Sequence, residues 1–408
     1  MTTDKRTVTG LDIGTSTVTA VMAEVSSDGD FKVIGVGRAP SQGLRRGVIV
    51  HLERTTTAVA RALADAEMMA GEKADGVHVN INGDHIRGVN SRGVIAVAHR
   101  GGAIGDEDVE RVLQAARAVP VPPDRDVLHV LPQEFLVDGH GGIKDPTGMV
   151  GARLEVAVHI ITASTLSIGN VRHCIAEAGY ELDSLTLSPL AVSDIALSER
   201  EREMGVALVD VGAGLTSVVV IVDDAVRHTG ALALGGRNVT NDLAIGLRTP
   251  LDAAETIKTT SGVACGECVT TDVPIDVPSV GDQPTRSVSP RVVAAIIGPR
   301  LEEILQLAKA EIRRAPGGDL LTAGIVLSGG GAALPGAGVL AERVFDLPVR
   351  VARPPDWAAG MGLTGSPRDL GAVGLVVRAG GLDLAGPRGG GLMHRMASRL
   401  AHALSQLI

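Results

Sequence analysis

Aromatic side chains are scarce in this chain: 408 residues include three Phe, one Tyr and one Trp. With 45% of residues apolar, the cores must be built from Val, Ile, Leu and Ala. There is no basic excess; Lys and Arg number 38 against 47 Asp and Glu, a formal net charge of -9. That balance argues against general nucleic-acid binding, which needs a basic face. No apolar run approaches the roughly 20 residues of a membrane-spanning helix. Lys5 and Arg6 are not followed by an apolar stretch of signal-peptide type, so cytoplasm is the expected compartment. Cysteine is rare too. Cys265 and Cys268 have C-x-x-C spacing, but no second pair or histidine cluster stands near them. Cys174, Cys265 and Cys268 therefore read as reduced, incidental thiols rather than zinc or redox groups. The length itself predicts two to four structural units.

Glycine is plentiful, at 52 residues, and some of it marks repeated turns. Residues 9–22 read T-G-L-D-I-G-T-S-T-V-T-A-V-M: an apolar run to Asp12, a turn at Gly14 through Thr15 and Ser16, then a second apolar run. The pattern predicts a β-hairpin whose turn offers backbone N–H groups and small hydroxyls to an anion, with a carboxylate beside them. Such turns also occur in hairpins that bind nothing, so repetition is what counts. Residues 206–222 read V-A-L-V-D-V-G-A-G-L-T-S-V-V-V-I-V, with Asp210 and Gly212 placed 198 positions after Asp12 and Gly14. One glycine-turn hairpin per half predicts a duplicated α/β domain closing on one ligand from both sides. Residues 325–336, I-V-L-S-G-G-G-A-A-L-P-G, read as a buried strand followed by glycines that let backbone approach a flat ligand.

Strands are expected over 7–13, 18–26 and 31–38, then a helix over 52–71 with an apolar stripe through Val59, Leu63 and Met68. A strand over 76–83 leads to His85, read as a polar residue at a domain junction. Strand-like 88–98, a helix over 106–119 opened by Asp106, Glu107 and Asp108, and strand-like 153–161 make a small α/β module. A helix over 166–179 and a crossover over 185–197 lead into the second hairpin. Helices over 241–246 and 251–262, a β-rich excursion over 273–289 and a long helix over 290–314 follow. Glu255 and Lys258 lie three apart on one helix face, the spacing of an ordinary solvated ion pair.

Beyond Gly380 the chain becomes a glycine-rich linker. In the last residues Leu392, Met396, Leu400, Leu404 and Leu407 recur as one helical stripe, flanked by Arg395, Arg399 and His402, with no acid after Asp383. This is the pattern of an amphipathic helix lying in an anionic membrane interface; docking on a protein surface is the alternative. Each basic residue near such a surface contributes on the order of 1 kcal/mol, and ordering the helix removes much of the gain. A single tail should bind weakly, and many tails together through avidity.

Two phosphate-type hairpins followed by a strand and glycine turn resemble the ordering of the actin-like ATPase superfamily. Within it, residues 128–151 (L-H-V-L-P-Q-E-F-L-V-D-G-H-G-G-I-K-D-P-T-G-M-V-G), 235–258 and 348–354 resemble the FtsA family of bacterial cell-division proteins, over about residues 7–380. The resemblance implies an α/β, actin-like ATPase fold of two duplicated halves, with an FtsA-type inserted subdomain and a C-terminal amphipathic helix. Its implied divisions are subdomain 1A at 1–83 (completed by 164–195 and 366–385), inserted subdomain 1C at 84–163, 2A at 196–236 (completed by 299–365), 2B at 237–298, a linker at 386–391 and a membrane-targeting helix at 392–408. It implies ATP with Mg2+ between the halves. Gly14, Thr15 and Ser16 would face the β-phosphate, and Gly212, Ala213 and Gly214 the γ-phosphate. Asp12 and Asp210 would hold Mg2+ through its waters, and Gly236, Glu255, Lys258, Gly329, Gly330 and Gly331 would take the nucleoside.

The same resemblance implies self-association into filaments, with 1C carrying subunit contacts, and help in recruiting later divisome proteins. The C-terminal tail of FtsZ would dock on 2B, where Arg286, Arg291 and Arg300 are candidate carboxylate partners. The protein would sit peripherally on the cytoplasmic face of the cell membrane at the division site, held by Leu392, Arg395, Met396, Arg399, Leu400, Leu404 and Leu407 on anionic lipids. The family often has an aromatic residue in this tail; none is present here, which predicts a weaker anchor.

The chain departs from the family in two places. The usual glutamate before the crossover proline is Ser188, in L-S-P-L-A, and D-I-G-G-G-T-T-D in the second hairpin is D-V-G-A-G-L-T-S, losing a hydroxyl at Leu215 and a carboxylate at Ser217. A serine without a partner is not a base. The expectation is ATP binding with slow or absent hydrolysis, and a gain of turnover when Ser188→Glu and Ser217→Asp are combined. A small-molecule kinase of the superfamily would need a phosphoacceptor base and no such tail; its chaperone branch would need a further substrate-binding domain.

Overall fold

The computed structural model describes residues 5–26, 29–97, 102–281, 284–358, 363 and 365–381. The linker and tail helix expected over 386–408 lie outside the described residues.

The first sheet begins with an antiparallel meander, β1 (Arg6–Ile13), β2 (Thr17–Val25) and β3 (Phe31–Pro40). A two-residue hairpin, β4 (Leu44–Arg45) and β5 (Val48–Ile49), leads to α1 (Leu52–Ala70), and β6 (Val77–Ile81) returns parallel to β1. Both faces of β2 are covered: Val18, Ala20 and Met22 join the core under α1, while Val21, Ala23 and Val25 join the opposite one. Burial on both faces explains the unbroken apolar run. The stripe of α1 follows Val59, Ala62, Leu63 and Ala66, whereas Met68 is 80% exposed. The reason is close approach: a Cβ at Gly37 in β3 would lie 1.8 Å from the Ala62 carbonyl, so α1 presents alanines to the sheet.

Then comes a separate antiparallel sheet formed by β7 (Arg87–Ala96), β8 (Arg125–Val137), β9 (His140–Ile143) and β10 (Arg153–Ser164) in the order β7-β10-β8-β9, with α2 (Asp106–Arg117) against one face. Val109, Val112 and Leu113 of α2 pack on Phe135, Leu154 and Val158. The β8–β9 hairpin falls in the stretch singled out for family resemblance rather than for structure; its turn is Asp138-Gly139, both at positive φ. His85 does sit at the junction, its Nδ1 accepting the Ser164 N–H at 3.2 Å.

The chain returns through α3 (Thr165–Glu177), β11 (Leu182–Leu187) and α4 (Ser188–Ala196), closing a first sheet of order β11-β6-β1-β2-β3. The second half repeats the plan. After α5 (Glu199–Met204) come β12 (Val206–Val211), β13 (Thr216–Val222) and β14 (Ala225–Leu232), then α6 (Gly236–Gly246) and α7 (Leu251–Ser261). A short hairpin of β15 (Ile275–Val277) and β16 (Arg286–Val288) precedes α8 (Pro290–Ile312). β17 (Gly324–Ser328), α9 (Gly329–Ala332), α10 (Ala337–Phe345) and β18 (Val349–Val351) complete it, and α11 (Leu370–Gly380) returns to pack on the first sheet. The second sheet has the order β14-β13-β12-β17-β18, strand for strand the plan of the first. β14 had no signal beyond the hairpin before it, because its residues are half-buried and mixed in polarity.

The parts are joined at several places. Leu190 and Val192 of α4 pack with Leu208, Val219 and Val326 of the second sheet. The inserted sheet docks on β14 through His159, whose ring nitrogens meet Asn90 Oδ1 at 2.6 Å and Thr229 Oγ1 at 2.9 Å. Burial, with the His228 charge nearby, pushes His159 down to about 3, so it serves as a neutral hydrogen-bonding link.

The expectation of reduced cysteines is overturned. Cys265 and Cys268 are joined in a disulfide, not reduced; Cys174 is free and buried. A 3-10 turn over Gly266–Cys268 folds the C-x-x-C segment back until the Cα atoms are 5.4 Å apart, within bridging range. Missing metal-type partners had argued against zinc but said nothing about this turn. Among the described residues no helix is long and apolar enough to cross a membrane.

Candidate functional site

Both hairpins turn in the same way. Gly14 N–H donates to Thr17 O at 3.1 Å and Gly212 N–H to Leu215 O at 2.9 Å, each closing a four-residue turn at the carboxyl end of β1 or β12. That edge of a sheet is where α/β folds bind ligands. Gly14 is required by space: a Cβ there would lie 2.7 Å from Thr17 O. Among the described residues the N–H groups of Thr15, Ser16, Ala213 and Gly214 meet no protein acceptor. The carbonyls of Gly212 and Ala213 are held from behind, by Gly236 N–H at 2.9 Å and Arg237 N–H at 2.7 Å. These bonds make α6 begin at Gly236 rather than near residue 241.

The two turns meet. A Cβ at Gly214 would lie 2.8 Å from Thr15 Cγ2, Arg237 reaches Thr15 O at 3.4 Å, and Asn82 Nδ2 donates to Ser217 Oγ at 2.9 Å. Thr15 is buried and Ser16 exposed.

Behind the turns lie two half-buried carboxylates, Asp12 and Asp210. Burial, then the neighbouring Asp210 charge, pushes Asp12 up to about 7, against the Asn80 hydrogen bond; the Asp369 charge adds to the rise. Burial pushes Asp210 up to about 6, opposed by Ser328. Each is supported from the adjacent parallel strand. Asn80 Nδ2 donates to Asp12 Oδ1 at 2.5 Å while its Oδ1 accepts the Ile13 N–H at 2.7 Å, and Ser328 stands in register with Asp210. The start of α11 abuts Asp12, since a Cβ at Gly371 would lie 2.4 Å from Asp12 Oδ2. Asp369, just before it, is paired with Arg38 at 2.7 Å. Two carboxylates whose charge is disfavoured by burial and by each other, beside open N–H groups, fit a divalent cation shared with phosphate. Asn80 and Asn82 escaped the sequence reading; V-H-V-N-I-N, with polar side chains recurring at the end of a buried strand, was the available signal.

On the other wall Lys258 is almost enclosed, with 11% of its side chain exposed. Its Nζ donates to Gly236 O at 3.1 Å, Thr240 Oγ1 at 2.8 Å and Glu255 Oε2 at 2.7 Å, and Thr240 also bonds Glu255. The lysine end of this pair is built into the fold, while the Glu255 side chain stays 48% exposed. Gly329, at φ +80, lies against Asp210 Oδ1, and Gly331 against Val211, so residues 329–332 form a first helical turn rather than an extended glycine loop. Above Gly330 the space is open.

Ser188 opens α4 directly after Leu187, whose N–H donates to His129 Nε2 at 3.0 Å. Burial, with Arg378 nearby, pushes His129 down to about 3; its lone pair is spent on that bond, so it gives Ser188 no base. Ser217 lies directly across the strand pair from Asp210. Of the three arginines expected to receive an acidic peptide, two are engaged internally. Arg300 holds Asp242 at 2.6 Å and also Glu303, and Arg286 bonds Leu247 O; Arg291 is exposed.

Residues 83–162 match the family model of the SHS2 domain inserted in FTSA, and residues 207–362 that of cell division protein FtsA. The cell division protein FtsA of Pseudomonas aeruginosa is 42% identical over 347 residues, covering 85% of this chain and 83% of that protein. The chain belongs to the FtsA family. FtsA of Neisseria meningitidis is 39% identical over 398 residues, 97% of this chain and 96% of its own, and FtsA of Escherichia coli K12 is 38% identical over 86% and 85%. The PilM–PilN type IV pilus biogenesis complex shares the fold with a TM-score of 0.65 at 18% identity, covering 93% of this chain and 99% of that one. MreB5 of Spiroplasma citri bound to ADP does so with a TM-score of 0.51 at 14% identity, covering 90% and 94%. The chain is thus an actin-like protein of a cell-division family, with an inserted SHS2 domain, and membership of that family sets aside the kinase and chaperone alternatives.

Proposed function

We propose that this protein binds Mg-ATP between its two sheets and, as a filament on the inner face of the cell membrane, anchors FtsZ. The observation that carries the nucleotide reading is the pair of like-built turns with the half-buried Asp12 and Asp210 behind them. Thr15, Ser16, Ala213 and Gly214 would receive phosphate oxygens through their free N–H groups, and Asp12 and Asp210 would hold the metal ion. Bound Mg2+ supplies charge neutralisation for both carboxylates and phosphates. Gly236, Glu255, Lys258 and residues 329–331 would line the nucleoside. Solved structures of MreB5 carry ADP and AMPPNP in the same fold, which supports a nucleotide over another anion.

Among the described residues Ser188 has no base beside it, and Ser217 Oγ, across from Asp210, is taken up by Asn82, so on this reading bound ATP is turned over slowly or not at all. Ser217→Asp would place a carboxylate opposite Asp210, so a gain of turnover has to come chiefly from Ser188→Glu. The division into subdomains 1A, 1C, 2A and 2B, the filament and the divisome partners belong to this reading. For FtsZ, Arg291 is the remaining candidate of the three arginines.

The membrane part rests on the basic, apolar-striped tail. Sedimented with anionic vesicles, the full chain is expected to pellet with the lipid, more strongly when assembled. A chain ending at residue 388 should stay in the supernatant. Equal pelleting of both forms would contradict the tether.

A further inference from the structure

The Cys265–Cys268 disulfide lies where the two walls of the nucleoside side meet. One wall is α7, which carries Glu255 and Lys258; Gly262 N–H closes its last turn on Lys258 O at 3.2 Å, and Ala264 N–H then donates to Pro335 O at 2.8 Å. The other wall starts at Gly329, against Asp210, and ends at Gly336. Gly336 has φ +82, and a Cβ there would lie 2.8 Å from Cys268 Sγ and 3.0 Å from Cys265 Sγ. The bonded sulfurs are therefore seated on the backbone of the residue that opens α10. Glu267, inside the C-x-x-C turn, pairs with Arg343 of α10 and fastens the turn to the same helix. Cys265 is buried and Cys268 partly exposed, so an exchanging thiol or disulfide reaches Cys268 first.

We propose that Cys265 and Cys268 are a redox-responsive dithiol that sets the nucleotide affinity of the cleft through Gly336, an inference that rests on the nucleotide reading above. Oxidation by a low-molecular-weight disulfide balances simply. The Cys268 thiolate attacks glutathione disulfide and one glutathione thiolate leaves. The Cys265 thiolate then attacks Cys268 Sγ in the mixed disulfide and expels the second glutathione. Two electrons pass from the protein thiols to the glutathione pair, which takes up their two protons. In the reduced state the sulfurs are no longer bonded and need more room, and the Gly336 side offers none. Either the Gly266–Cys268 turn or the Gly336 turn must shift, and each is tied to one wall of the site.

The test uses the full chain and a fluorescent ATP analogue with Mg2+, after treatment with glutathione disulfide or with dithiothreitol, beside the Cys265→Ser/Cys268→Ser double variant. The dissociation constant of the wild type should differ at least about fivefold between the two treatments, the low end of coupling between distinct sites. In the double variant it should not differ. Hydrogen exchange of residues 262–268 and 329–345, measured without nucleotide, should rise on reduction in the wild type alone. Equal affinity and equal exchange in both states overturn the proposal. So does glutathione disulfide leaving both thiols free, or one zinc ion held by the reduced pair with Glu267. Absence of analogue binding in both states sinks the nucleotide reading instead, and the exchange comparison then decides alone whether the dithiol governs the Gly336 turn.

Discussion

Without divalent cation, Asp12→Asn is expected to raise the melting temperature of the protein at pH 8, although the same change is expected to remove Mg-ATP binding. The reason is the position of the carboxylate. Buried next to Asp210, Asp12 is pushed up to about 7 in the folded protein, while in the unfolded chain it titrates near about 3.9. Raised in the folded state, it favours folding while protonated, and that advantage disappears as pH climbs between the two values. The penalty is absent below about pH 4, where both states are protonated, and complete above about pH 7. A shift of about three pH units corresponds to on the order of 4 kcal/mol. Asparagine keeps the shape and still offers an oxygen to Asn80 Nδ2, so little packing is lost. The difference in melting temperature between variant and wild type should shrink as pH falls from 8 to 4, and shrink at pH 8 when Mg-ATP is added to the wild type. Should Asp12→Asn destabilise equally at both pH values, the carboxylates are not the strained centre described here.

Gly374→Ala is expected to lower stability by about 3 kcal/mol or more, an overpacking effect at the large end of its class. A Cβ at Gly374 would lie 2.0 Å from the Ala191 carbonyl and 2.6 Å from its carbon, both backbone atoms of α4 that cannot step aside. The opposite face of α11 is equally tight, with a Cβ at Gly10 reaching within 2.6 Å of Ala372 O. Helix α11 is therefore wedged between β1 and α4, and its first residues sit against Asp12, so displacing it should also weaken Mg-ATP binding. Gly169→Ala in α3 is the control. A Cβ there meets nothing within 4 Å, and exchanging an interior helical glycine for alanine stabilises by roughly 0.5–1 kcal/mol. Chemical denaturation of both variants should give shifts of opposite sign. A Gly374→Ala protein as stable as the wild type would mean that α11 is not seated as described.

The twin hairpins were legible because an Asp-x-Gly turn between apolar runs is a local signal, and its repetition halfway along the chain carried the duplication with it. What the sequence concealed lies across strands and between segments. Asn80 matters because β6 runs beside β1, and Ser328 because β17 runs beside β12; neither register is written in a local pattern. Met68 continued a periodic stripe but faces solvent, since the glycines of β3 bring α1 close enough that alanines take the contact. Arg300 looked available for a partner until Asp242, 58 positions earlier, met it in space. The disulfide depended on a turn between Cys265 and Cys268 that C-x-x-C spacing permits without requiring.

The cleft is expected to hold ATP intact between Asp12 and Asp210. The most direct measurement is the fate of labelled Mg-ATP: mix it with the purified protein, isolate the complex over several hours, and identify the bound nucleotide. One ATP per chain is expected, still ATP after hours, and none bound once Mg2+ is chelated. Rapid appearance of bound ADP would contradict the silence assigned to Ser188 and Ser217, and no bound nucleotide at all would contradict the site.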